Sequence, residues 1–380
     1  MKILIVRTFP DKLDINSYNV QEIGLASALT IRGHQCGVVL FNGKNQDKKE
    51  QYSFEYDKKK YHFTLYWLRG FGILKNGFMP SVKQLVEDYD LIQVHEYDQI
   101  MSWDLYTKQI KPTVIYHGPY FHPYTRGYNF KCKIFDSLFL KRRKYNDVIG
   151  ITKSKLAADF LKQKGFENVV TAGVGINPDN FRTPDKNSQF KRTGRRLLYV
   201  GKIEDRRNVY FLIDVFRALL EVYSDVQLML IGDGEKAYRD KFLKAIKPEL
   251  EEGKIIYQRK ASQTELADIY CSSDIFLFTS YYDIFGMVLL EAMYFGLPVI
   301  STMNGGSSTL ITEDKNGYIL KNFEIKKWVE KICQLLQNPE KITQMGQCAA
   351  NTIESNFTWI KLAEKFEDCY QRAINEFKDR

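Results

Sequence analysis

The sequence predicts an α/β protein of two doubly wound, Rossmann-like domains. Three observations carry that expectation. Short apolar runs alternate with segments of helical period twice over, once before and once after residue 185. A polar stretch, residues 183–195, separates the two series. At 380 residues the chain is too long for one ordinary hydrophobic core. The expected domains are 1–185 and 186–355, followed by a last segment, 356–380.

Residues 2–6 read as a buried parallel strand, because the run is apolar on both faces. A polar loop follows, in which Ser17 or Asn19 is expected to cap the next helix. Val20, Ile23, Gly24, Ala26, Leu29 and Ile31 recur at helical spacing, and Arg32-Gly33 ends that helix. Residues 38–41, 89–95, 113–116, 147–151 and 169–172 read as further strands, with a helix over 155–164. Beyond the polar stretch, residues 196–200, 226–232, 254–257, 274–278 and 297–302 continue the pattern. A helix is expected over 287–295, and Phe357-Thr358-Trp359 opens a final one ending near Phe377.

Hydrophobic residues make up 44% and charged residues 27%, a globular balance. No apolar run is long enough to span a bilayer. Met1 leads directly into the first strand, so no signal peptide is expected and the protein is expected in the cytoplasm. The six cysteines are scattered without a Cys-x-x-Cys pair and read as buried thiols in a reducing compartment. No metal site or cofactor is expected. The net charge of +9 is uneven: residues 1–185 carry 27 Lys and Arg against 19 Asp and Glu, the remainder 28 against 27. A basic face attracts phosphates, anionic lipid or nucleic acid. No nucleic-acid motif is present, so nucleic acid is not an expected partner. The first strand is not followed by Gly-x-Gly-x-x-Gly, which argues against a nicotinamide enzyme.

Residues 279–308 carry the chemistry. Asp283 and Glu291 flank seven residues. Phe285-Gly286, Glu291-Ala292-Met293, Gly296-Leu297-Pro298-Val299 and Gly305-Gly306 follow in order. Acids and bare backbone thus fall at the carboxyl ends of two strands, where open α/β sheets bind ligands. This stretch resembles the Glu-x7-Glu motif of retaining glycosyltransferases of family 4 (group 1), with Asp283 in place of the first Glu. The resemblance extends over the whole layout. It implies the GT-B fold: two Rossmann-like domains facing a cleft, an acceptor-binding first and a nucleotide-sugar-binding second, with the last helix crossing back onto the first.

On the donor side the resemblance implies that Glu291 holds the ribose hydroxyls and Asp283 meets donor-sugar hydroxyls. The helix start at Phe285, Gly286, Met287 and Val288 would face the diphosphate. Gly201 would let backbone approach the ligand, and Lys202 and Arg207 would stabilise the leaving diphosphate. The family has Arg then Lys there, so the two cation types are exchanged. Gly232 lies in a Gly-Asp-Gly turn, and Arg259 lies where family members read the base. On the acceptor side, His117 resembles the family's cleft histidine, and His95-Glu96 ends a neighbouring strand. Ser17 and Tyr18 lie in a first loop that lacks the family's Gly-Gly turn. Each of these also has a plain structural reading, as a solvated basic loop, a tight turn or a buried histidine.

Residues 131–144 combine basic side chains with an apolar stripe, Phe130, Ile134 and Leu138, beside Phe135 and Phe139. An anionic membrane surface is one expected partner, placing the protein at the inner face of the plasma membrane. The alternative is an ordinary helix whose stripe faces the core. The functional expectation is a metal-independent transfer from a nucleotide sugar, UDP-linked by family frequency, to a saccharide or lipid-linked saccharide in cell-surface polysaccharide or glycoconjugate synthesis. The alternative is a non-catalytic nucleotide-sugar-binding subunit.

Overall fold

The computed structural model describes residues 1–140, 145–181 and 194–380. The 185/186 boundary, most of the polar stretch 183–195 and the basic residues 141–144 lie outside the described residues. The chain divides into two compact units: residues 1–177 with 357–380, and residues 178–356.

In the first unit the strands are β1 (Lys2–Val6), β2 (Gln35–Phe41), β3 (Lys48–Tyr56), β4 (Lys59–Leu68), β5 (Phe71–Ile73), β6 (Asn76–Phe78), β7 (Leu91–His95), β8 (Thr113–His117), β9 (Ile149–Thr152) and β10 (Val169–Thr171). Eight of them form one sheet, in the order β10-β9-β8-β7-β1-β2-β4-β3. All pairs are parallel except β3 with β4. The order runs one way from β1 and the other way from β7. The carboxyl ends of β1 and β7 are therefore the topological switch point, where such sheets take ligands. β5 and β6 form a separate small hairpin.

The last helix, Trp359–Lys378, belongs to this unit and packs on the helix Gln21–Ile31. Trp359 explains two glycines. A Cβ on Gly24 would stand 2.2 Å from the indole Nε1, and one on Gly175 would stand 2.6 Å from the ring. The indole N–H donates to Asn19 Oδ1 at 3.1 Å, and the Asn19 amide donates to the Gly175 carbonyl at 3.1 Å. This corrects the expected cap. The helix begins after Val20 with no side-chain cap, and Asn19 instead ties the first loop to the last helix.

The second unit holds β11 (Arg195–Val200), β12 (Val226–Ile231), β13 (Ile255–Gln258), β14 (Ile275–Phe278), β15 (Val299–Thr302) and β16 (Gly317–Leu320). They form one parallel sheet, ordered β13-β12-β11-β14-β15-β16. Its core is apolar on both faces, with Leu197, Leu228, Ile275 and Trp328 fully buried. Here the switch point lies between β11 and β14. Of the six cysteines, Cys36, Cys132 and Cys369 are buried, whereas Cys271 and Cys348 are exposed, against expectation.

Candidate functional site

The loops after β11 and β14, which leave adjacent strands, are stitched together. Arg207 Nη1 meets Asp283 Oδ2 and donates to Ser280 Oγ at 3.2 Å, with its guanidinium 5.5 Å from the centre of the Phe278 ring. Arg206 joins Glu204 (2.8 Å), the Tyr282 carbonyl (3.0 Å) and Asp283 (3.5 Å). Thr279 donates to the Arg207 carbonyl at 2.9 Å. From the sequence, Arg207 is expected to offer its charge to the diphosphate. In the structure its charge is already shared with Asp283. Lys202 is exposed and makes no ion pair among the described residues.

Asp283 Oδ1 accepts from the Phe285 N–H at 3.2 Å, which shapes the turn into the helix Met287–Tyr294. Gly286 starts that helix at φ +75°, where a side chain is strained and a Cβ would meet Phe278 at 3.1 Å. Gly305 and Gly306 follow β15 and lie flat against this turn. A Cβ on either would stand 2.0 Å from the Ile284 carbonyl or 1.6 Å from that of Phe285. Met287 and Val288 are the first, half-buried residues of the helix, and Phe285 is buried.

Glu291 lies one turn further in and is 3% exposed. Its Oε2 accepts from the Tyr270 hydroxyl at 2.9 Å. Tyr270 stands on the helix Gln263–Cys271, which Ser262 and Glu265 close with a capping box. Gly201 and Gly232 lie against one another. A Cβ on Gly232 would stand 1.8 Å from the Gly201 carbonyl, so the close approach of the two loop backbones requires glycine at 232. Arg259 pairs with Asp233 at 2.9 Å, and Arg239 binds the same carboxylate at 2.7 Å.

In the first unit, His117 is fully buried at the end of β8, with Nδ1 2.5 Å from Glu96 Oε2. Glu96 sits at φ +58°, a strained value for a side chain of this size. It also accepts the Gly118 N–H at 3.1 Å and faces Lys153 at 3.8 Å. Burial alone would raise the Glu96 pKa. His117, Lys153 and the Gly118 N–H overcome it and bring the carboxyl down to about 2. Asp98 lies beside them, and one ligand atom from each of Glu96, Asp98 and His117 falls within 4.8 Å of the others. Lys131, 2.8 Å from Asp98, and Lys153 supply counter-charge to this cluster. His95 is buried next to Glu22, with 3.4 Å between Nδ1 and Oε1, and Arg7 reaches the same Glu22 oxygen at 3.5 Å. Ser17 and Tyr18 are exposed in the first loop. Tyr270, Arg206, Glu22, Asp98 and Lys153 were not singled out as site residues from the sequence. Of these only Glu22, an acid in a helix's first turn, carries a local signal.

Burial lowers the His95 pKa to about 4, although Glu22 opposes it. A histidine depressed in the folded state stays neutral while the unfolded chain takes up a proton. Stability of the first unit is therefore expected to fall as pH drops from about 6.5 to about 4. Glu96 adds a second loss as pH falls from about 4.5 toward 2. Urea midpoints measured against pH check this: His95→Gln should flatten the first limb, and a flat wild-type profile there would refute it.

Residues 126–135 form a helix that continues to Leu140 with a wider turn. Its stripe faces outward: Phe130 is 65%, Ile134 46% and Leu138 60% exposed, while Phe135 and Leu140 point inward. The core-facing alternative is thereby corrected. No helix among the described residues is long and apolar enough to cross a membrane.

Residues 180–352 match the family model "Glycosyl transferases group 1". Spore coat protein SA of Bacillus subtilis (strain 168) is 28% identical over 193 residues, 49% of this chain and 51% of that protein. The chain spans about half the length of that and several other curated relatives. The phosphatidyl-myo-inositol mannosyltransferase of Mycobacterium leprae is 22% identical over 308 residues, 77% of this chain and 78% of that protein. Among solved structures, Anabaena HepE in complex with UDP-glucose superposes with a TM-score of 0.68 at 16% identity, covering 98% of this chain and 100% of that one. That likeness is one of fold, the GT-B class of paired doubly wound units. The part of the chain that holds the Asp283–Glu291 motif and its Gly-Gly turn, residues 180–352, is thus what resembles the group 1 glycosyl transferases.

Proposed function

We propose that this protein is a retaining glycosyltransferase that moves a sugar from a UDP-sugar to a lipid-linked saccharide, in the synthesis of cell-surface polysaccharide or glycoconjugate. The observation that carries the reading is Glu291, a buried carboxylate set by Tyr270 one turn inside a helix that opens at the switch point of the second sheet. A carboxylate so placed can accept both ribose hydroxyls. The first N–H groups of the helix favour a diphosphate. Lys202 is the exposed cation beside the leaving group, and Arg207 adds a charge moderated by Asp283. Asp283 would meet donor-sugar hydroxyls. Gly201, Gly232 and Arg259 shape the donor side rather than touch the reacting atoms.

On the acceptor side, His117 with Glu96 forms a polar pair at the carboxyl ends of β8 and β7, beside His95, and Ser17 and Tyr18 of the loop after β1 would complete that side. In this reading the donor phosphate takes the acceptor's proton, and no metal or cofactor takes part. HepE, solved with UDP-glucose, supports a UDP donor. The mannosyltransferase that is named for phosphatidyl-myo-inositol supports a lipid-borne acceptor, as does the outward stripe of Phe130, Ile134 and Leu138 flanked by exposed Arg126 and Lys133.

Thermal unfolding against a panel of nucleotide sugars tests the reading. A true donor at about 100 times its Kd adds roughly 2.7 kcal/mol to the native state. Stabilisation by UDP-sugars, with turnover on a lipid-linked saccharide and retained anomeric configuration, is the expected result. Stabilisation without turnover by the purified protein would favour the non-catalytic subunit. No response to any nucleotide sugar would refute both.

A further inference from the structure

We infer that the β5–β6 hairpin is a wedge that inserts into an anionic lipid surface. It takes its partner's chemistry from the lipid-linked acceptor proposed above and names a separate element that would reach it.

Three of the most exposed apolar side chains in the first unit crowd this one small element: Phe71 is 53%, Ile73 55% and Leu74 86% exposed. Phe71 stacks on Phe78 across the hairpin at 5.1 Å, which stiffens it. The turn itself is Leu74-Lys75, with φ of +48° and +65°. Both central residues therefore occupy the left-handed region, where hairpins favour Asn-Gly because side chains with a full Cβ are disfavoured. The chain holds its most exposed leucine at a position where the backbone would prefer no such side chain. Strain at an exposed tip motivates a use for the side chain itself.

The base of the hairpin is fixed. The Gly77 N–H donates to the Thr8 carbonyl at 2.8 Å, and a Cβ on Gly72 would stand 2.6 Å from Pro10. Asn76 Oδ1 accepts from the Ile100 N–H at 2.9 Å, at the start of the helix Ile100–Lys108. Further along that helix, Trp103 packs on Phe139 at 5.0 Å. The hairpin and the outward stripe of residues 130–138 are thus joined through one helix at the carboxyl edge of the same sheet.

Charge selects the partner. Lys75 is exposed in the turn of the hairpin, and Arg69 is exposed two residues before its first strand. Lys12 and Lys44 are exposed on the two segments that contact it. Of the nearby acids, Asp11 is paired with Arg7, while Asp47 keeps its charge and accepts from the Arg69 N–H and the Ser81 hydroxyl, so the four cations remain in excess. An apolar tip ringed by cations matches an anionic bilayer, with the side chains among the acyl chains and the cations at the headgroups.

The test is co-sedimentation of the full chain with vesicles of phosphatidylcholine alone and of phosphatidylcholine with phosphatidylglycerol. The informative variant is Leu74→Asn with Lys75→Gly, which gives the turn its favoured residues and removes the tip. The wild type is expected to bind anionic vesicles in preference to neutral ones. The variant should partition at least about tenfold less, since it withdraws a leucine from apolar surroundings and a lysine from an anionic surface. Its unfolding midpoint should equal or exceed the wild type's, and its stabilisation by UDP-sugar should be unchanged. Equal binding by variant and wild type would overturn the inference, as would a wild type indifferent to anionic lipid. So would a variant whose only change is a lost dimer in light scattering, because the hairpin would then be a protein contact. UDP-sugar stabilisation is read separately, so failure of the wedge is distinct from failure of the transferase reading.

Discussion

Glu291→Gln is expected to weaken UDP-sugar binding by roughly ten- to a hundredfold while leaving the donor-free protein close to wild-type stability. The Tyr270 hydroxyl donates to Glu291 at 2.9 Å, and a glutamine carbonyl can accept the same bond. What glutamine lacks is the charge. Hydrogen bonds to an ionised acceptor are worth about 1.5–3 kcal/mol, against about 1 kcal/mol for a neutral one. Over two ribose hydroxyls the loss is about 1.4–2.7 kcal/mol, which converts to the stated range. Calorimetric titration with UDP and with the UDP-sugar gives the measurement. A variant that binds donor normally but unfolds earlier would make Glu291 a structural acid. Glu291→Ala is the poorer test, because it also removes the acceptor of the Tyr270 hydroxyl and leaves a cavity.

What the sequence revealed depended on how local each signal was. β1, β7 and β8 are buried on both faces, so each is a continuous apolar run that announces itself. β3 reads Lys-Lys-Glu-Gln-Tyr-Ser-Phe-Glu-Tyr and lies at the sheet's edge, half-buried at best. It carries no such run, and with β4 it went unread. β5 and β6, three residues each, are shorter than any periodicity can register. The Asp283–Glu291 motif was legible because Asp283, Gly286, Glu291, Gly305 and Gly306 lie within one strand-loop-helix-strand unit, where spacing alone fixes geometry. Tyr270 meets Glu291 from another helix, and Arg206 and Arg207 reach Asp283 from 76 residues or more upstream. Such pairings exist only once the sheet has ordered β11 beside β14. The sequence marked Arg207 as a cation after β11, but it could not show that an acid already shares its charge.

That shared charge leads to the second large effect. Arg207→Ala and Asp283→Ala are each expected to cost the second unit about 1–3 kcal/mol, because each removes the nearest partner of a mostly buried charge and leaves only longer contacts, Arg206 to Asp283 at 3.5 Å or Glu204 to Arg207 at 3.9 Å. Their side chains are only 14% and 11% exposed. The double variant should cost less than the two singles added, with a coupling of about 1–3 kcal/mol. Urea midpoints of the three variants give this directly. Asp283→Asn separates structure from chemistry. Among Glu204, Arg206, Arg207 and Asp283 the charges balance, so neutralising Asp283 leaves one net positive charge beside the leaving group. UDP should then bind more tightly while turnover falls, since the departing nucleotide is held and the donor-sugar contact is weakened. Were Arg207 only a structural partner of Asp283, the Asn variant would lose stability with no gain in UDP affinity. Single and double variants that add within about 0.5 kcal/mol would show that the two side chains act independently.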